Sequence, residues 1–371
     1  MKKKILIFYI SEFSGHFHAA SAIEKALLQL QKDLDIDKIN ALDYTNPILG
    51  KIINKAYLEV IKKKPELWGN IYDHPKVVKK TKKAREALHK HNMSKIKRLI
   101  EKHSPYAIFC TQAMPCGMVA DYKRSGGKDV KLIGVLTDHA PHSFWIFDEV
   151  DFYAVPSEET GKVLEQKGIP PSKIKVSGIP VDPKFRKSHD VEKINKEYGL
   201  NKDDPTILIM GGTQGLGEVE LIVKALLKDK EHNYQLLIVA GSNKKLFTRL
   251  KKLGRKKGGE NMRVLSFVEN IDELMEISDI VVGKAGGMTT AEAAVKETPM
   301  IIVSPIPGHE RRNTDYMIEK GVAVEVEDFV EVPRKINELF DSEGMLEGMR
   351  KNARKISKPK SALDIAKLVL D

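Results

Sequence analysis

Cysteine is almost missing from this chain: 371 residues contain two, Cys110 and Cys116. Two thiols in one apolar neighbourhood build neither a disulfide framework nor a four-ligand metal site, so both read as buried free thiols and no metal centre is expected. Aromatic residues make up only 6% of the chain, and tryptophan occurs twice. No apolar run approaches the ~18 residues of a membrane span. The opening MKKKILIFYIS lacks the apolar stretch and small-residue cleavage site of a secretory signal. These absences argue against a disulfide-rich secreted scaffold and against a membrane-spanning helix. The expected location is cytoplasmic, peripheral on the inner face of the cell membrane.

What the chain has in excess is positive charge, and the excess is local. The formal net charge is +11, and between Lys51 and His103 stand 16 Lys and Arg against 5 Asp and Glu, which leaves the remainder balanced at 46 against 46. No RNA- or DNA-binding motif accompanies the patch, so nucleic acid is not an expected partner. Anionic lipid headgroups attract such a surface by ~1 kcal/mol per Lys or Arg. Solvated helices with Lys-rich outer faces are the plainer reading. Tyr57, Leu58, Val60, Ile61, Leu67 and Trp68 form an apolar cluster around Lys62, Lys63 and Lys64. That composition suits an interfacial helix, and the same side chains can equally pack on a domain core.

The length exceeds what one core usually serves, so two domains are expected. Strand and helix signals alternate through both halves, which predicts an α/β fold of two doubly wound units. The strands are read at Ile5 to Ile10, Ile36 to Leu42, Ala107 to Cys110, Leu132 to Leu136, Phe152 to Val155 and Ile174 to Val176. In the second half they are read at Ile207 to Met210, Gln235 to Val239, Arg263 to Phe267, Ile280 to Val282 and Met300 to Val303. The basic segment between the second and third strands is too long for a bare loop and should hold its own helices. GIPVDP, Gly178 to Pro183, reads as an interdomain linker. After Phe329 the pattern is helical, with Ser361 and Asp364 spaced as a capping box.

The most informative stretch is VVGKAGGMTTAEAAVKETPMIIVSPIPGHERRN, Val281 to Asn313. It reads as strand, glycine turn, helix start and second strand, an order that aims free backbone N–H groups at an anion. Thr289 and Thr290 offer hydroxyls at the helix start, and Glu292 in its first turn can accept hydrogen bonds from ribose. The bland alternative is an ordinary strand-to-helix connection. A strand, loop and amphipathic helix also open the chain, and TILIMGGTQGLGEVELIVKALL repeats that order in the middle.

Several further segments, in order, carry a resemblance. They are SGHFHAASAI, AYLEVIKKKPELWGNIYD, LTDHAPHSFW, VSGIPVDPKF, SFVENIDELMEISDIVVGKAGGMTTAEA and PIPGHERRN. Over almost its whole length the chain resembles the lipid glycosyltransferases that include monogalactosyldiacylglycerol synthase and processive diacylglycerol glucosyltransferase, relatives of the peptidoglycan N-acetylglucosaminyltransferase.

The resemblance implies a GT-B architecture: two Rossmann-like domains facing across a cleft. Residues 1–180 would form the acceptor and membrane domain and 181–345 the UDP-sugar domain, with helices in 346–371 returning toward the first domain. It implies an inverting, metal-independent enzyme that moves glucose or galactose from a UDP-sugar to a diacylglycerol-type lipid, without a cofactor. Its nearest rivals are a UDP-N-acetylglucosamine transferase acting on a polyprenyl-linked precursor and a UDP-sugar epimerase. His16 would be the base, or else merely the cap of the next helix, and Asp138 would orient an imidazole or act as base itself. His142 would contact the acceptor, with Trp145 and Trp68 on the acceptor and membrane side.

On the donor side the resemblance places uracil near Phe267 and Val268, ribose on Glu292 and the diphosphate on Gly287, Met288 and Thr289. Gly212 lies in a second glycine loop, and His309, Glu310 and Asn313 would reach the sugar. The chain departs from the family's pattern in four places, one of them Thr290 to Glu292 in place of a Leu-Ser-Glu or Leu-Thr-Glu. SEFSGH is less glycine-rich than the usual loop before His16, His309 replaces a Gln, and Lys284 and Ala285 replace a Lys-Pro pair.

Overall fold

A computed structural model describes residues 2–47, 94–229, 233–256 and 259–370. Lys62, Lys63, Lys64 and Trp68 lie outside the described residues. The chain divides into two compact units, one of Met1–Pro183, Ile306–Arg312 and Lys360–Asp371, the other of Lys184–Pro305 and Asn313–Pro359.

The first unit is a six-stranded sheet of β1 (Lys4–Tyr9), β2 (Asp35–Asn40), β3 (Ala107–Cys110), β4 (Lys131–Val135), β5 (Phe152–Val155) and β6 (Ile174–Val176), in the order β2-β1-β3-β4-β5-β6. All its pairs are parallel, which explains why KILIFY and AIFC are continuous apolar runs: helices cover both faces. Chain order reverses between β1 and β3. Such a switch point leaves a crevice at the carboxyl ends of the two strands.

The second unit is built alike from β7 (Thr206–Met210), β8 (Gln235–Val239), β9 (Met262–Leu265), β10 (Ile280–Gly283), β11 (Met300–Val303) and β12 (Ala323–Val326). Its order is β12-β11-β10-β7-β8-β9, with the switch between β7 and β10. The sequence reading lacked β12: this edge strand, AVEV, is buried only at its two ends and carries no continuous apolar run.

Three local expectations are corrected. The strand read at Ile36 to Leu42 ends at Asn40, whose side chain accepts from the Asp43 N–H at 3.4 Å and starts the helix Ala41–Thr45. Ser361 is a fully buried first residue of the helix Ser361–Leu370, and its Oγ accepts the Val181 N–H at 3.0 Å instead of capping its own helix. That bond pins the GIPVDP segment, whose Ile179 and Val181 are buried, so the unit boundary falls at its end and not across it.

Beyond the boundary Lys184 Nζ lies 2.7 Å from Asp272 Oδ1, and His189 Nε2 lies 3.0 Å from Asp272 Oδ2, tying the segment to the helix Ile271–Glu276. Residues 345–356 form a helix that stays with the second unit, and 360–371 belong to the first. Cys110 and Cys116 are buried free thiols, and burial followed by Cys116 itself holds the Cys110 thiol protonated. Among the described residues no helix is long and apolar enough to cross a membrane.

Candidate active site

At the first unit's switch point the chain leaves β1 through Ser11, whose φ of 62° turns it sharply. Ser14 Oγ donates toward the carbonyls of Ile10 at 2.6 Å and Ser11 at 2.7 Å, and accepts the Phe17 N–H at 3.4 Å, so Ser14 caps the helix Gly15–Leu30. His16 is therefore released from the capping role. Its Nδ1 lies 2.7 Å from the Thr111 carbonyl oxygen just past β3, and 3.2 Å from Thr137 Oγ1 just past β4. Thr111, fully buried, returns a hydrogen bond from its Oγ1 to the His16 carbonyl at 2.9 Å.

A carbonyl oxygen only accepts, so in neutral His16 the proton sits on Nδ1 and Nε2 keeps a lone pair. Burial lowers the His16 pKa below its ordinary value. The Asp138 charge and the Thr111 bond act against that, and a charge on His309 adds to it. The imidazole is thus held toward its neutral form, with its proton on Nδ1.

His142 has the opposite polarity. It caps the short 3₁₀ turn Ser143–Trp145 by accepting the Phe144 N–H on Nδ1 at 3.2 Å, so its proton belongs to Nε2, a donor. Burial lowers its pKa to about 4, against the pull of Asp138 and with help from Lys167, His16 and His309. The first unit therefore gathers His16, Asp138, His142 and His309 within electrostatic range.

Trp145 corrects the sequence reading. It is only 5% exposed, packs in the core beneath this edge, and its carbonyl accepts the buried Tyr153 hydroxyl at 2.7 Å, so the indole is not offered to a lipid surface. Thr111 and Thr137 were not foreseen as site residues. Their positions just past the carboxyl ends of the adjacent apolar strands β3 and β4 are the signal that marks them.

In the second unit two loops meet at the β7/β10 switch. Gly211 to Gly217 closes on itself through Leu216 N–H to Gly211 O at 2.8 Å and Gly215 N–H to Gly212 O at 3.0 Å, with Gly212 at φ +67°. A Cβ at Gly283 would lie 2.4 Å from the Met210 carbonyl oxygen, so this close strand approach requires glycine. Gly283→Ala should cost about 1–3 kcal/mol through overpacking, read as a lower denaturation midpoint, with weaker UDP binding. An unchanged midpoint would show that the strands yield without cost.

The next helix, Gly287–Val295, starts at Gly286 with no side-chain cap, which leaves the amides of Gly287, Met288 and Thr289 without intrahelical acceptors. Lys284 reaches toward Gly217, its Cδ 3.5 Å from where a Cβ there would sit. Thr290 departs from expectation: it is 1% exposed and its hydroxyl donates to the Gly287 carbonyl at 2.9 Å, leaving Thr289 as the outward hydroxyl. Glu292 stands in the second turn, partly buried, three residues from Thr289 on the same helical face. Phe267, 48% exposed, and the partly buried Val268 follow β9 along the same sheet edge.

Glu310 and Asn313 hold backbone in place. The buried Glu310 accepts the Ile306 N–H on Oε2 at 2.8 Å within the first unit. The fully buried Asn313 donates from Nδ2 to the Ala285 carbonyl at 3.0 Å within the second unit. Asn313 thereby fixes the turn that opens the helix Gly287–Val295.

Comparison with known proteins gives a family match for each half of the chain. Residues 16–181 match the family model for monogalactosyldiacylglycerol (MGDG) synthase, and residues 206–369 match the glycosyltransferase family 28 C-terminal domain. The chain belongs to glycosyltransferase family 28. Within this family it is 29% identical over 353 residues to the processive diacylglycerol beta-glucosyltransferase of Bacillus subtilis (strain 168), covering 95% of this chain and 91% of that one. Among solved structures, MurG of Acinetobacter baumannii superimposes with a TM-score of 0.60 at 15% identity, covering 99% of each chain. MnaA of S. aureus, solved with UDP, gives 0.62 at 15% identity over 98% of this chain and 94% of that one. The fold of this family 28 member is GT-B.

Proposed function

We propose that this family 28 enzyme transfers a hexose from a UDP-sugar to a diacylglycerol-type lipid at the cytoplasmic membrane face, with inversion and without a metal. The observation that carries the reading is the His16 tautomer: Nδ1 is committed to the Thr111 carbonyl, so a neutral Nε2 is left to take the acceptor's proton. As that proton leaves, the acceptor oxygen attacks the anomeric carbon and the bond from that carbon to the diphosphate breaks, releasing UDP. His142 donates a hydrogen bond from Nε2 that orients the acceptor, and Asp138 steadies the imidazolium that forms at His16.

On the donor side the amides of Gly287, Met288 and Thr289, with Lys284 nearby, receive the growing negative charge of the diphosphate. This is the charge a metal would otherwise neutralise. Glu292 holds the ribose, Phe267 and Val268 lie at the uracil, and Gly212 approaches the phosphates. His309 faces the hexose. The diacylglycerol acceptor rests on the named activity of the Bacillus relative.

The test is transfer from a panel of radiolabelled UDP-sugars to diacylglycerol in anionic vesicles with EDTA present, followed by separation of the lipids. One labelled glycolipid identifies donor and acceptor and supports metal independence. Absence of lipid product alongside intact UDP binding would overturn the acceptor assignment.

A further inference from the structure

The helix Lys244–Lys256 of the second unit, KKLFTRLKKLGRK, holds seven cations and no acid in 13 residues. Leu246 and Leu250 bury its inner face in the core, with Phe247 and Leu253 packed beside them. All seven cations are exposed. They fall in two rows at helical spacing, Lys245, Arg249, Lys252 and Lys256 in one and Lys244, Lys251 and Arg255 in the other. The result is a flat cationic face roughly 18 Å long at 1.5 Å per residue.

Stability alone does not favour this arrangement. Like charges three and four residues apart repel, and Lys244 and Lys245 stand at the helix N-terminus, where the macrodipole favours acids. Arg249 pairs with Glu220 at 2.7 Å, a carboxylate already 2.7 Å from Lys224, and Lys251 lies over the Phe247 ring at 5.7 Å. Among the described residues no carboxylate lies within ion-pair distance of Lys244, Lys245, Lys252, Arg255 or Lys256. The whole-chain charge balance outside Lys51 to His103 hides this patch, because acids elsewhere in the chain offset it.

We propose that this face docks the second unit on an anionic lipid bilayer. Lysine, five of the seven cations, is a hydrated point charge that suits a diffuse headgroup layer better than bidentate recognition of one group. Neither row offers an aromatic ring on which a base could stack, which disfavours nucleic acid. The proposal rests on the lipid-acceptor reading, and adds a membrane contact in the donor-binding unit to the one expected of the segment from Lys51 to His103.

The test compares the full chain with its Lys245→Glu, Lys252→Glu, Arg255→Glu triple variant in sedimentation with phosphatidylcholine vesicles, with and without phosphatidylglycerol. The parent should partition onto the anionic vesicles, and the triple Glu variant more than 100-fold less, because each substitution removes a cation contribution of ~1 kcal/mol and adds a repelled anion. The triple Gln variant should fall between them. Unchanged UDP affinity and far-UV circular dichroism identify the variants as folded, and transfer in neutral detergent micelles should match the parent.

Equal partition of the parent and both folded variants would overturn the proposal, as would tighter binding of the parent to a polynucleotide than to vesicles at equal salt. Failure of the lipid-acceptor reading looks different: no UDP-hexose yields a glycolipid in the micelle assay from the parent itself.

Discussion

His16→Ala should lower turnover by about 10²- to 10⁴-fold, the span over which a positioned base contributes, while UDP affinity stays near that of the parent. The argument runs through geometry. Thr111 offers a carbonyl at 2.7 Å that only accepts, so Nδ1 keeps its proton and Nε2 is the basic atom. Single-turnover kinetics with saturating donor measure the effect directly, and unchanged turnover would remove His16 from the mechanism.

The pH profile gives a second reading of the same residue. The active imidazole is the neutral form, and burial lowers its pKa, so activity should persist below the ordinary histidine value and fail only as pH drops further. Asp138 acts against that shift. Asp138→Asn should therefore move the acid limb of kcat/KM to still lower pH while turnover at neutral pH survives in part. Complete loss across the whole range would instead make Asp138 the base.

Glu292→Ala should weaken UDP-sugar binding about ten- to hundredfold, the value of hydrogen bonds from ribose hydroxyls to a charged acceptor. Glu292 is partly buried on the helix Gly287–Val295, which holds it at a fixed distance from the uncapped amides proposed to receive the diphosphate. Calorimetry with UDP and with 2′-deoxy-UDP separates a ribose contact from general disturbance. The parent should distinguish the two ligands, and the variant should bind both alike. A variant that keeps the parent's UDP affinity would end the ribose role.

Strands buried on both faces were legible because parallel sheets leave no polar alternation: KILIFY and TILIM admit little else. The edge strand Ala323–Val326 escaped because Glu325 interrupts the apolar signal. Glycine turns also announced both carboxyl-end loops. What the sequence concealed were roles set by neighbours distant in the chain. Thr111 acts on His16 from 95 residues away, and Ser361 abandons its local capping motif for Val181, 180 residues distant. Depth was equally hidden, since the motif spacing that picked out Trp145 carries no information on whether the ring faces solvent or core. Glu310 and Asn313, read as loop residues, stand in the opening turns of the helix His309–Glu319 and spend hydrogen bonds on backbone at Ile306 and Ala285.

The first unit is discontinuous, and its core incorporates the far end of the chain. Ala362, Leu363, Ile365, Ala366 and Val369 share one apolar cluster with Ile5, Ile7, Ile23 and Leu27. On the ribosome, therefore, the domain made first is the domain finished last. Its opening strand and helix wait with an uncovered apolar face until the helix Ser361–Leu370 emerges, whereas the second unit's chain is by then entirely synthesised. Order of translation and order of completion run in opposite directions along this polypeptide.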